Sequence, residues 1–229
     1  AEHSFLFSYL CCMIRKKTDT LYIQQLVSQG EHCHQDFKFE ISDARKIARS
    51  LSAFANTEGG RLLVGIKDNG KIAGIRSEEE IYMIEAAANM YCQPVIPIET
   101  KTYFAEGKAV LEVSVQESAA KPVYAIDETN KPKAYIRIKD ENILATPVHL
   151  KMWQIQKMKE GTVVAFTNNE QHLLDILKRE KPLTLNQCCK LCHLKRTTIC
   201  GLLANFIRFG IVSPIFQNHK FHFRLNEDE

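Results

Sequence analysis

No run in this 229-residue chain approaches the roughly 18 apolar residues that a membrane span needs, so no membrane role is expected. Internal repeats and low-complexity tracts are absent, and there is one tryptophan, Trp153. The eight cysteines (11, 12, 33, 92, 188, 189, 192 and 200) lack the spacing of a disulfide framework. A reducing cytoplasm is the simpler reading. Ser4 to Met13 is apolar, but Arg15-Lys16-Lys17 follow it. A signal peptide carries its positive charges before the apolar part, so this order argues against export. The first residue is Ala, which points to a start that is missing or processed.

Hydrophobic content of 45% and charge of 25% are those of a globular protein, and the length suits one large or two small domains. The net charge of +3 says little, but its distribution says more. Residues 1–162 carry 21 basic and 21 acidic side chains. Residues 163–229 carry 9 basic and 6 acidic ones, and three of those acids are the last three residues. Without that tail the C-terminal piece is +6, which favours a polyanionic partner.

The chain is organised around Ala53 to Ile66. Ser42 can cap a helix, with Asp43 in its first turn facing the positive end of the dipole. Ile47, Leu51 and Phe54 recur at helical spacing, and Gly59-Gly60 stops the helix where positive φ is expected. Leu62-Leu63-Val64 and Ile66 form an apolar run that fits a strand covered on both faces. Asp68-Asn69-Gly70 is a tight turn, and Lys71 to Ile75 returns as a second strand.

Phe54-Ala55-Asn56-Thr57-Glu58-Gly59-Gly60, then Val64-Gly65-Ile66, Asp68-Asn69-Gly70 and Gly74-Ile75, resemble the AlbA_2 (Schlafen-type) domain. The family's opening acids and Phe-Lys fall on Glu31 and Asp36-Phe37-Lys38, with Asp in place of the usual Glu at the second acid. The resemblance covers roughly residues 20–145, a single-domain length. It implies an α+β fold and a DNA-binding role. Some members are ribonucleases, and there the resemblance places an active site on Glu31, Asp36 and Asp68. Three such carboxylates can hold Mg or Mn to activate water. The bland alternatives are a hairpin aspartate at 68, a surface acid at 31, and Lys38 pairing with one of them.

Along the chain, Thr18 to Gln29 reads as a helix burying Leu21, Ile23, Leu26 and Val27 and ended by Gly30. Asp36 to Ile41 is a strand, and Ser77-Glu78-Glu79-Glu80 starts a helix running to about Cys92. Ile98 to Phe104 and Ala109 to Val115 form a hairpin at Glu106-Gly107, the second strand half-buried. Residues 116–133 are a loop with a short strand over Val123 to Ile126. Ala134 to Lys139 alternates, with Tyr135, Arg137 and Lys139 on one face. Arg137, in the place of the family's Ile-Arg-Val-Gly-Ser strand end, is a nucleic-acid-binding candidate. The family's Gly-Ser pair is replaced by Lys139-Asp140. Pro147 to Lys159 is a helix ended by Gly161, with a domain boundary near Gly161–Phe166.

The remainder resembles a winged helix-turn-helix module. Helices over Asn168–Lys181, Leu185–Cys192 and Thr197–Phe209 precede a hairpin around Gln217-Asn218-His219. In that fold the third helix enters the major groove by its N-terminal residues, here Lys195, Arg196, Thr197 and Thr198. His219 and Lys220 in the wing could add backbone or minor-groove contacts. Asn56, Thr57 and Glu58 read equally as groove lining or as a C-cap network. Cys188, Cys189, Cys192 and His193 lack a second ligand pair at finger distance and read as buried helix cysteines. His32 and His34 lack an evident third ligand.

The expectation is an α+β protein: a mixed-sheet AlbA_2-like domain over 1–162 and a small winged-helix domain over 163–229. It binds nucleic acid, with DNA and transcription regulation foremost and no cofactor needed. A metal-dependent ribonuclease is the alternative, and a protein-interaction module is the third. A cytoplasmic location and a homodimer are compatible with both leading readings.

Overall fold

The computed structural model describes residues 17–157, 166–180 and 182–226. The apolar stretch at Ser4–Met13, Cys11, Cys12 and Gly161 lie outside them, as does most of the expected boundary segment. The chain divides into two compact units, Ala1–Leu144 and Ala145–Glu229. No helix among the described residues is long and apolar enough to cross a membrane.

In the first unit, residues 17–28 are helical (α1). Then come β1 (Gln35–Lys38), α2 (Ala44–Asn56), β2 (Gly60–Val64), α3 (Glu79–Met90), β3 (Cys92–Gln93), β4 (Ile98–Ala105) and β5 (Lys108–Val115). β6 (Tyr124–Ile126), β7 (Pro132–Ile138) and β8 (Glu141–Leu144) complete it. One sheet has the order β1-β2-β5-β4 and the other β3-β6-β7-β8. β1 runs parallel to β2 and the other pairs are antiparallel, so the first sheet is mixed.

α2 is the centre of this unit. Asp43, not Ser42, is its N-cap, accepting from the Arg45 N–H at 2.8 Å, so no acid sits in the first turn. Asp43 reaches that N–H from an extended backbone while Ser42 lies one residue too early. Ile47, Leu51 and Phe54 pack with Leu62 and Val64 of β2, Leu111, Val113 and Val115 of β5, Ile84 of α3 and Val123 of β6. The helix stops as expected: the Gly59 N–H donates to Phe54 O, and Gly59 takes φ 76°. At Gly60 a Cβ would lie 2.4 Å from the Phe54 ring, so glycine there lets β2 start against α2.

The other face of the mixed sheet is half covered by α1. Ile23 and Leu26 pack on Phe37, Leu63, Ile66, Tyr103 and Val110, while Leu21 points to solvent. β2 is interior, as expected of a run covered on both faces. The return over Lys71–Ile75 makes only one bridge, Ile66↔Ile72, and not a strand. Gly65, at φ 93°, turns the chain out of the ladder, and its C=O takes both the Ala73 and Gly74 N–H groups.

The second unit holds α4 (Pro147–Gln156), α5 (Asn168–Arg179), β9 (Leu183–Thr184), α6 (Leu185–Cys192), α7 (Arg196–Arg208), β10 (Val212–Gln217) and β11 (Lys220–Leu225). The sheet order is β10-β11-β9, all antiparallel. Leu173, Leu177, Ile199, Leu203, Phe206 and Phe223 form its core. α4 belongs here, whereas the sequence placed residues up to 162 with the first domain. Its Val148 and Ile155 join this core, and helical periodicity marks an apolar face without saying which core it meets. Capping boxes start three helices: Thr146 with His149, Thr167 with Glu170, Thr184 with Gln187.

Candidate nucleic-acid interface

α7 starts without a side-chain cap. Its N-cap is Lys195, in extended conformation, so the first N–H groups carry their partial positive charge with no capping oxygen. Lys195, Arg196 and Thr197 are exposed and Thr198 is half-buried, while Ile199 at 0% anchors the helix to the core. His193 ends α6 in the left-handed region (φ 54°), which turns the chain within three residues into α7. Arg196 donates to Asn186 Oδ1 of α6, which steadies the turn. The β10–β11 hairpin closes in two residues, Asn218 and His219, at φ 51° and 56°. Gln217 to Lys220 are all exposed, and so are Lys190 and Arg224.

The three acids fall differently. Asp36 is 3% exposed, between Lys38 Nζ at 2.9 Å, Ser50 Oγ at 3.2 Å and Arg137 Nη2 at 3.4 Å. Burial alone would raise its carboxyl, but Lys38, the Glu31 hydrogen bond and Arg137 outweigh it and hold the pKa below the ordinary value. Glu31 accepts from the Phe37 N–H at 2.9 Å. Its own pKa is raised, first by burial and then by the hydrogen bond it shares with Asp36. Asp68 sits in an exposed turn. Among the described residues, no three His, Cys, Asp or Glu side chains are grouped to hold a metal ion. The ribonuclease reading needs the three acids to converge; Glu31 and Asp36 share a hydrogen bond, and Asp68 is not grouped with them as a metal site. Lys38 and Arg137 flank Asp36 and balance its charge.

Arg137 is buried rather than facing outward. Besides Asp36 it donates to Gln35 O (3.1 Å), His32 O (3.4 Å) and Asn142 Oδ1 (2.9 Å). Its guanidinium lies 5.2 Å from the Phe54 ring centre. These contacts leave it no free side toward a phosphate. Asn56 is a structural bridge: Nδ2 donates to Val123 O and Tyr135 O, and Oδ1 accepts the Val123 N–H. Cys188 and Cys192 are buried, and burial pushes both thiols up, Cys188 to about 12.

A groove of about 610 Å³ opens on the half of the mixed sheet that α1 leaves bare. Glu58, which the sequence offers as groove lining or helix cap, is among its lining residues, with His34, Gly59 and Gly60, whereas Tyr22, Arg61, Lys101 and Glu112 carry no such sign in the sequence. Glu112, 7% exposed, accepts from Tyr22 OH on both oxygens at 3.1 Å and from Arg61 Nη1 at 3.1 Å. Lys101 lies over the Tyr103 ring at 4.6 Å. Burial and then the Glu112 charge push the Tyr22 phenol up to about 12. The available signal was a carboxylate at every-other-residue spacing inside an apolar strand, which in a covered sheet demands partners.

Two solved structures are similar to this chain in part. The DIP2311 protein of Corynebacterium diphtheriae is 19% identical over 64% of this chain, with a TM-score of 0.43. The match covers 34% of that protein, so this chain corresponds to about a third of it. The N-terminal domain of a RecG-related protein from Nitrosomonas europaea is 21% identical over 66% of this chain and 96% of that domain, with a TM-score of 0.40. A sequence model of the family described as "Schlafen, AlbA_2" matches residues 31–146, from the first acid of the opening motif to the N-cap of α4. The chain belongs to the Schlafen AlbA_2 family.

Proposed function

We propose that this protein binds nucleic acid through its second unit, with duplex DNA as the target and transcription regulation as the setting. The observation that carries this reading is the start of α7. It is uncapped and exposed, and it presents Lys195 and Arg196 to solvent from a helix fixed to its core. The order α5, β9, α6, α7, β10, β11, with β9 pairing β11, supports reading this unit as a winged helix-turn-helix module. In that docking geometry the first residues of α7 meet base edges or phosphates in the major groove, and the Asn218–His219 turn reaches the backbone. The +6 balance of residues 163–226 supplies the sequence-independent attraction. Such binding needs no cofactor.

The test is fluorescence anisotropy of the full chain with a labelled duplex between about 50 and 300 mM salt. Binding is expected to weaken steeply with salt. Replacing Lys195 and Arg196 together with Ala is expected to cost about 1–3 kcal/mol if either reads a base, and to flatten the salt slope if they meet phosphates. A folded double variant with unchanged affinity and slope would overturn the docking of α7 and leave an assembly role for this unit. A structured RNA bound more tightly than the duplex would keep nucleic-acid binding but replace the target.

A further inference from the structure

We propose that the chain forms a symmetric dimer in which β4 pairs antiparallel with β4 of a second copy, centred on Thr100. β4 is the outer strand of the mixed sheet. On its inner side it pairs with β5 in the register Glu99↔Ser114, Lys101↔Glu112, Tyr103↔Val110 and Ala105↔Lys108. That last pair closes a two-residue turn over Glu106 and Gly107, at φ 52° and 76°, so Ala105 and Lys108 exchange their backbone bonds. The alternation of an antiparallel ladder then aims the backbone of Glu99, Lys101 and Tyr103 at β5, and that of Ile98, Thr100, Thr102 and Phe104 outward. Phe104 displays this phase. Its N–H donates to Asp19 Oδ2 at 3.2 Å, and its C=O accepts from Thr20 Oγ1 at 3.4 Å. Among the described residues, nothing meets the outward N–H and C=O groups of Ile98, Thr100 and Thr102.

An open edge is a template for another strand unless its side chains forbid it. Here the side chains choose a register. Centring the pair on Glu99 or on Lys101 sets a charge against its own copy, which is destabilising. Centring it on Thr102 needs the backbone of Phe104, which Asp19 and Thr20 already occupy. Centring it on Ile98 needs the Ile96 N–H, which already donates to Ala88 O at 3.4 Å. Thr100 remains. There Thr100 pairs with its own copy and Ile98 with Thr102 of the partner subunit, each pair exchanging two backbone hydrogen bonds. Between these pairs, Glu99 stands opposite Lys101 of the partner subunit, and Lys101 opposite Glu99 of the partner subunit. Both are non-hydrogen-bonded positions, where Cα atoms come within about 4.5 Å and side chains are closest.

The ends of the strand agree with this register. Phe104 and Val95 are 50% and 57% exposed. They lie just beyond the two ends of the paired segment, and the two-fold axis brings the Phe104 end of each strand to the Val95 end of the other. The two four-stranded sheets become one sheet of eight strands. Glu99 and Lys101 also line the groove, so the two grooves meet on one face at the axis.

Sedimentation equilibrium of the full chain, from low micromolar to a few hundred micromolar, tests this. The wild type is expected to dimerise reversibly. Glu99→Lys and Lys101→Glu each turn two attractive pairs into two repulsive ones, and each is expected to raise Kd about tenfold or more. An equimolar mixture of the two variants restores every pair and is expected to dimerise like the wild type. Thr100→Pro removes the central outward N–H and is expected to give a folded monomer whose melting temperature does not depend on protein concentration. If that variant does not fold, the two charge variants and their mixture still decide. A wild type that stays monomeric throughout, a dimer insensitive to both reversals, or a mixture that fails to recover would each overturn the proposal.

Discussion

Arg137 Nη2 lies 3.4 Å from Asp36 Oδ1 and ties β7 to β1. Both side chains are nearly sealed from water, at 1% and 4% exposure. A buried charge stripped of one partner is costly even where the pair itself adds little. Arg137→Ala is therefore expected to cost about 3 kcal/mol or more in urea unfolding of the full chain. Asp36 also gives the unfolding a pH signature. Its folded pKa is depressed, so its contribution is present above its unfolded value and lost as pH falls through the folded one. Glu31, with a raised pKa, works in the opposite sense, its contribution lost as pH rises through the folded value. Asp36→Asn is expected to flatten the acid limb of stability against pH, an outcome that a surface carboxylate would not give.

The helix–turn–strand stretch from Ile47 to Ile66 was legible because its signals are local. Ile47, Leu51 and Phe54 mark a face, and Gly59 and Gly60 mark the stop. The fate of Asp36 was not legible, because its partner Arg137 lies far along the chain. Alternation over Ala134 to Lys139 gave the strand and its two faces. It did not reveal that Arg137 is buried on its face, where a nucleic-acid-binding residue has to be open. Glu112 shows the same limit in β5: the alternation reads as a half-buried strand, yet Val110 and Glu112 on one face are buried as well as Leu111 and Val113 on the other. The family motif likewise supplied three acids by position, and only the placement of Asp68 in an exposed turn separates it from the other two.

Two glycines make opposite predictions. At Gly60 a Cβ would sit 2.4 Å from Phe54 Cδ1 and 2.9 Å from His34 O. Gly60→Ala must push a fully buried ring or the backbone, so a loss of about 1–3 kcal/mol is expected. Gly201 lies inside α7 with nothing within 4 Å of its Cβ position. Gly201→Ala is expected to gain about 0.5–1 kcal/mol. Thermal melts of the two variants check both signs.

Lys220 follows the Asn218–His219 turn and is exposed. In the proposed docking it meets phosphate and reads no base. Lys220→Ala is therefore expected to weaken binding about equally across duplex sequences and to lower the salt slope by about 1. Loss confined to one duplex sequence would place Lys220 on a base edge instead.

His149 carries the clearest pH prediction in the second unit. Its ring is buried between Trp153 and Phe221, with centroids 6.2 and 4.7 Å away. Nδ1 accepts the Thr146 N–H at 3.2 Å and so closes the capping box of α4. Burial pushes its pKa down to about 4 from the ordinary 6.5. The folded chain therefore holds the neutral ring where the unfolded chain binds a proton. Stability is fully present above the unfolded value and is lost as pH falls from about 6.5 toward about 4, by roughly 3 kcal/mol in all. Below the folded pKa this contribution levels off, because both states are then protonated. His149→Gln keeps a side chain able to close the capping box and removes the titration. Urea unfolding of the second unit's transition at several pH values is expected to show the decline in the wild type and a flat response in the variant. A decline of equal size in both would assign the pH dependence to other groups and return His149 to a purely packing role.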